Sequence, residues 1–138
     1  MGQKRGVSMI DFHLDGRSGV PPYLQLVQQV KHALRVGMLR PGDQLPTVRD
    51  VVANLAINPN TVAKAYRKLE LEGLIGGRPG QGTFVIKALP GPDAADLAAL
   101  RFDLDRWLTR AFSAGLDDES VIALVAATIR EAPRENVA

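Results

Sequence analysis

Two helix-start signals stand close together in the middle of this chain, and they constrain its fold more than any other feature. Thr47 is followed three residues later by Asp50, a variant of the capping box. Asn58 is followed directly by Pro59, which joins a favoured N-cap to a favoured first helical residue. A helix begun at Thr47 must therefore end before Asn58. Val48, Val51, Val52 and Leu55 give it one apolar face. It runs from about Thr47 to Leu55, and Ala56 and Ile57 turn the chain. From Pro59 the run NTVAKAYRKLELEG reads as a longer helix, with Val62, Ala65, Tyr66 and Leu69 facing inward and Gly73 closing it. Two helices joined by two or three residues form a helix-turn-helix.

The flanking segments complete a small unit. Pro21 and Pro22 open an earlier helix of about residues 22–36, with Tyr23, Leu26, Val27, Val30 and Leu34 on one face and Gly37 as its left-handed cap. Residues 1–20 read as a loose N-terminal arm with a short extended stretch at Met9–Leu14. Arg40-Pro41-Gly42-Asp43 reads as a turn. Beyond Gly73, Leu74-Ile75 is β-prone, Gly76–Gly82 reads as a long turn, and Thr83–Ile86 reads as a strand. A helix-turn-helix followed by such a hairpin is a winged helix, here residues 21–88. Residues 89–92, centred on Pro90-Gly91-Pro92, are a linker, and residues 93–138 form a two-helix region. Leu97, Leu100, Leu104, Trp107, Leu108 and Ala111 line a helix of residues 93–114, ended by Gly115. Asp117-Asp118-Glu119 suits the start of a second helix, which carries Val121, Leu124 and Val125 and stops at Pro133. The fold class is mostly α with a small β-hairpin.

Composition narrows the function. The 138 residues include no cysteine, so disulfides, thiolate metal sites and cysteine nucleophiles are excluded. His13 and His32 are too isolated for a metal cluster. No GxSxG, HExxH or GxxxxGK[ST] pattern is present, and the Gly76–Gly82 run precedes a strand rather than a helix, so it is no phosphate cradle. No enzymatic activity, metal or cofactor is expected. With no apolar run long enough to span a bilayer and no secretory signal, the expectation is a cytoplasmic protein without a membrane partner. Charge is divided unevenly. Residues 1–88 carry twelve Lys/Arg against six Asp/Glu, while residues 89–138 carry five against nine.

A basic helix-turn-helix points to nucleic acid. Recognition helices place hydrogen-bonding side chains at their N-terminal end, where they meet base edges in the major groove. Asn58, Asn60 and Thr61 stand there, with Lys64 and Arg67 further along the outer face. Arg49 points outward if Val48, Val51 and Val52 point in, and is available to a guanine edge or a phosphate. Arg78 and Gln81 at the hairpin tip suit the adjacent minor groove, where Gly80 and Gly82 allow the backbone close approach. Tyr66 is read as core, not as a stacking platform.

The segments PPYLQLVQQV, GMLRPGDQLPTVRDVVANLAINPNTVAKAYRKLELEGLI and RPGQGTFV resemble the DNA-binding domain of the GntR family of bacterial transcription regulators. The wording INPNTVAKAY and the short tail resemble its YtrA-like subfamily. The resemblance implies a sequence-specific regulator, commonly a repressor, that binds double-stranded operator DNA. Larger subfamilies commonly carry a base-reading Arg where Pro59 stands and often another where Ala63 stands. Their absence leaves Arg49 and the Asn residues as the base readers. The resemblance also implies a C-terminal effector or dimerisation region of two helices. Independently, two helices enclose too little interior to bury both apolar faces. Leu97, Leu100, Leu104, Trp107, Leu108, Leu124 and Val125 are therefore candidate dimerisation residues for a four-helix pairing. The other reading of that face is packing back onto the winged helix in a monomer. A small-molecule effector is left unassigned. The alternative function is a winged-helix module for protein contacts without specific DNA readout.

Overall fold

The computed structural model describes residues 10–133. Its elements run α1 (Pro22–Arg35), α2 (Val48–Leu55), α3 (Pro59–Leu71), β1 (Ile75–Arg78), β2 (Gly82–Val85), α4 (Ala94–Ser113) and α5 (Asp118–Glu131). The chain divides into two units between Asp93 and Ala94.

Each start in the helix-turn-helix is capped as its sequence predicts. The Thr47 hydroxyl accepts the Asp50 N–H at 3.0 Å. The Asn58 Oδ1 accepts the Asn60 N–H at 2.8 Å. The turn between α2 and α3 needs one left-handed residue, and Ala56 supplies it at φ 54°, the only non-glycine residue with positive φ among those described. An L side chain in that conformation is strained by about 1–2 kcal/mol. The surrounding packing must hold it there.

That packing is a single cluster drawn from every element of the first unit. Leu26, Val30, Val62, Ala65 and Leu69 are fully buried where α1 crosses α3. Val51 closes the cluster from α2, and Leu39, Leu45, Leu74, Ile75 and Val85 close it from the loops and hairpin. Each fully buried Leu or Val contributes roughly 1.5–3 kcal/mol. Tyr66 belongs to this core, as expected. Its hydroxyl donates to the Pro46 carbonyl at 2.6 Å, tying the loop before α2 to α3. Burial first, and the charge of Asp50 second, push the phenol above its ordinary range, so it stays a neutral donor.

Three features depart from the sequence reading. First, the arm is not loose over its described part. Ile10, Phe12 and Leu14 alternate inward onto the core. The buried Gln25 amide accepts the Asp15 N–H at 2.8 Å and donates to the Asp15 and Val20 carbonyls. Gln29 bonds both backbone groups of His13, much as a neighbouring strand would. Residues 1–9, including Met9 of the expected extended stretch, lie outside the described residues, as do residues 134–138.

Second, Gly76, Gly77 and Arg78 belong to β1, not to a long turn. The hairpin turns over Pro79-Gly80-Gln81, with the Gln81 N–H on the Arg78 carbonyl at 2.9 Å and Arg78 opposite Gly82. Glycine in a strand can mark a close approach. A Cβ on Gly76 would lie 2.6 Å from the Ile86 side chain. Third, the segment after the Arg40–Asp43 turn forms a short third rail of the sheet. Gln44 bridges Phe84, the Leu45 N–H donates to the Thr83 carbonyl, and the Val85 N–H donates to the Asp43 carbonyl.

The second unit is an α-helical hairpin. Gly115 follows α4 at φ 102°, and Asp117 caps α5 by accepting the Ser120 N–H at 2.8 Å, which lowers its carboxyl pKa. Only Ala111 and Val121 are buried in it among the described residues.

Candidate nucleic-acid interface

Helix α3 shows one face to the core and another to an open cleft. Val62, Ala65, Tyr66 and Leu69 face in. Asn60, Ala63, Lys64, Arg67, Lys68 and Leu71 line the cleft together with Tyr23 of α1. The structure therefore brings Asn60, Lys64 and Arg67 together as one row, set by 3-4 spacing.

The charges that line this cleft are not equivalent. Lys68 lies 3.3 Å from the Glu72 carboxylate, which Lys31 of α1 also meets at 2.6 Å. These two lysines, Lys31 first, hold the Glu72 carboxyl below its ordinary range. Lys64 has a different partner. Its ammonium sits over the Tyr23 ring, 4.1 Å from the centroid. The ion pairs among the described residues take in neither Lys64 nor Arg67.

The remaining predicted residues are placed as follows. Arg49 is exposed on the first turn of α2. Thr61 is half-buried, and its N–H donates to the Asn58 carbonyl at 2.9 Å. Asn58 has its side-chain oxygen engaged in capping α3, which leaves its Nδ2 and one lone pair of Oδ1 to meet another molecule. None of these three lines the α3 cleft. Gly80 and Gln81 lie in the hairpin turn, and Arg78 closes β1 beside it. The Arg78 guanidinium stacks on the Phe84 ring at 4.1 Å, so it lies against the sheet and not free at the tip. Gln44 braces the same turn by donating from Nε2 to the Gln81 carbonyl at 3.0 Å. Gly82 at φ 124° leaves room for that amide: a Cβ there would lie 2.6 Å from Nε2.

Sequence reasoning missed Tyr23, Phe84 and Gln44. The two aromatics sit in an apolar stripe and a strand, where their spacing signals core alone. Gln44 sits in a stretch read as loop. Among the described residues no cluster of His, Asp or Glu could hold a metal, and no helix is long and apolar enough to cross a membrane.

A tight helix-turn-helix, a braced two-stranded wing and a polar, basic outer face on the second helix define a winged-helix DNA-binding regulator. Residues 22–85 match the family described as bacterial regulatory proteins, gntR family, and the chain belongs to it. It is similar to the HTH-type transcriptional repressor YtrA of Bacillus subtilis, 46% identical over 72 residues, which are 52% of this chain and 55% of that protein. The chain thus spans about half the length of that relative. It is 43% identical over 88 residues to an HTH-type transcriptional regulator of Mycobacterium tuberculosis, covering 64% of this chain and 72% of the relative. Among solved structures it is similar to YtrA from Sulfolobus acidocaldarius, a GntR-family transcription factor, with a TM-score of 0.52 and 31% identity over 71% of this chain and 97% of that one.

Proposed function

We propose that this chain is a sequence-specific repressor that binds an inverted-repeat operator as a homodimer in the cytoplasm, with no enzymatic step of its own. The row Asn60, Lys64 and Arg67 carries the reading, because it offers hydrogen-bond donors and two cations that stand outside the ion pairs among the described residues. In this reading α3 enters the major groove, Arg49 and the Asn residues meet base edges, and Lys64 and Arg67 meet phosphates. The wing, with Arg78, Gly80 and Gln81, lies along the neighbouring groove. The apolar faces of α4 and α5 from two chains pair into a four-helix assembly, which sets two recognition helices one or more DNA turns apart. Similarity to YtrA supports the repressor assignment.

Binding titrations on the DNA upstream of the gene, at several salt concentrations, test it. Arg49→Ala is expected to cost about 1–3 kcal/mol on the preferred sequence and to relax preference at one position. Lys64→Ala is expected to weaken all sequences alike and to reduce the salt slope by about one per protomer. If neither variant changes affinity, this face is not the interface, and a protein-contact role takes its place.

A further inference from the structure

We infer that the Tyr23 ring is a positioning seat for Lys64, holding that ammonium ready for a DNA backbone phosphate without neutralising it. The inference rests on the proposed DNA-facing role of α3 and adds a residue from a different helix to it.

Helix α3 contains its own comparison. Lys64 and Lys68 stand one turn apart and line the same cleft. Lys68 is held by the Glu72 carboxylate, which it shares with Lys31, so part of its charge is offset for anything that approaches. Lys64 is held by a ring face, 4.1 Å from the centroid. A ring attracts the cation through its quadrupole but carries no net charge. The ammonium therefore loses rotamer freedom while its field toward an anion survives. A free lysine would lose that freedom on meeting a phosphate, at a cost in affinity.

Tyr23 is itself fixed. It lies near the start of α1, half-buried and packed against the core, while α1 crosses α3. The seat is thus part of the rigid unit, and the held side chain projects into an open cleft shared with Asn60 and Arg67. The ring face, not the phenol oxygen, does the holding, so Phe should serve as well as Tyr. Leu should keep the packing and lose the seat.

The test uses the full chain and a mixed-sequence 30-base-pair duplex, because a phosphate contact does not depend on sequence. Wild type, Tyr23→Phe, Tyr23→Leu, Lys64→Ala and the Tyr23→Leu/Lys64→Ala double variant are titrated across a salt series. Tyr23→Leu is expected to bind about two- to tenfold more weakly per protomer, the cost of ordering one long side chain that the ring no longer holds. Its salt slope should match wild type, since the lysine still reaches a phosphate. Tyr23→Phe should bind as wild type, and Tyr23→Leu should have no further effect once Lys64 is Ala. Several results would overturn the inference: tighter binding by Tyr23→Leu, an equal loss with or without Lys64, or a loss in Tyr23→Phe that makes the hydroxyl the contact. If Lys64→Ala changes neither affinity nor slope, the inference falls together with the DNA-facing reading of α3. If Lys64→Ala acts and Tyr23→Leu does not, the inference alone falls.

Discussion

The two units of this chain solve the same problem with different success. In the first, three helices and a hairpin surround fifteen buried apolar residues, and five of them have no exposure at all. In the second, two helices bury only Ala111 and Val121, while Leu100, Phe102, Leu104, Phe112, Ile122, Leu124, Val125 and Ile129 stand exposed. Both units have clear apolar stripes. The difference is geometrical. Elements that cross and cap one another enclose a volume, whereas two helices side by side can cover only one seam between them. Exposed apolar residues in this number suit the pairing proposed for α4 and α5. In the proposed function the helix-turn-helix reaches two half-sites of an operator, which gives the reason to expect a second copy of the chain as the partner.

Removing residues 94–138 should break the comparison most completely. The first unit keeps its own core and should remain folded as a monomer. Operator binding should weaken by about a hundredfold or more, since the linked second site is lost. Sedimentation and binding titrations measure the two effects, and a truncated protein that still dimerises would refute the role given to α4 and α5.

Paired substitutions sharpen the same contrast. Leu69→Ala opens a cavity in the first unit and should cost about 2–5 kcal/mol at any protein concentration. Leu104→Ala, on a face exposed in the single chain, should leave the melting of the first unit unchanged. Its effect should appear as weaker self-association, and therefore as a melting point of the second unit that depends on concentration. A concentration-independent loss at Leu104 would mean that the face is covered within one chain.

The smallest effect concerns strain that only a closed core can hold. Ala56 adopts a left-handed conformation in the turn between α2 and α3. Ala56→Gly should stabilise the first unit by about 0.5–1 kcal/mol, because relief of the Cβ strain exceeds the added freedom of the unfolded chain. Thermal denaturation checks the sign, and a destabilised variant would show that the turn is not strained.

The local grammar of this protein was legible in its residues. Thr47, Asn58 and Asp117 each start a helix by bonding a backbone N–H two or three positions ahead, a geometry that needs no distant partner. The apolar stripes of α1, α3, α4 and α5 follow from helical period alone, and the outward row of α3 is what those stripes leave over. What the residues left open depends on contacts between distant parts of the chain. The arm docks with Ile10, Phe12 and Leu14 on the core, and Gln29 meets His13 sixteen positions away. The wing is braced because Gln44 meets Gln81 across thirty-seven. Lys64 differs from Lys68 because Tyr23, on another helix, presents a ring where Glu72 presents a carboxylate. Amides and aromatic faces bind whatever the fold brings to them, so their partners have no signature in spacing. The sequence by itself therefore determined where helices begin and which faces turn inward. Only the tertiary structure decided which polar groups hold the arm, the wing and the cations in place, because those partners meet only after the core has closed.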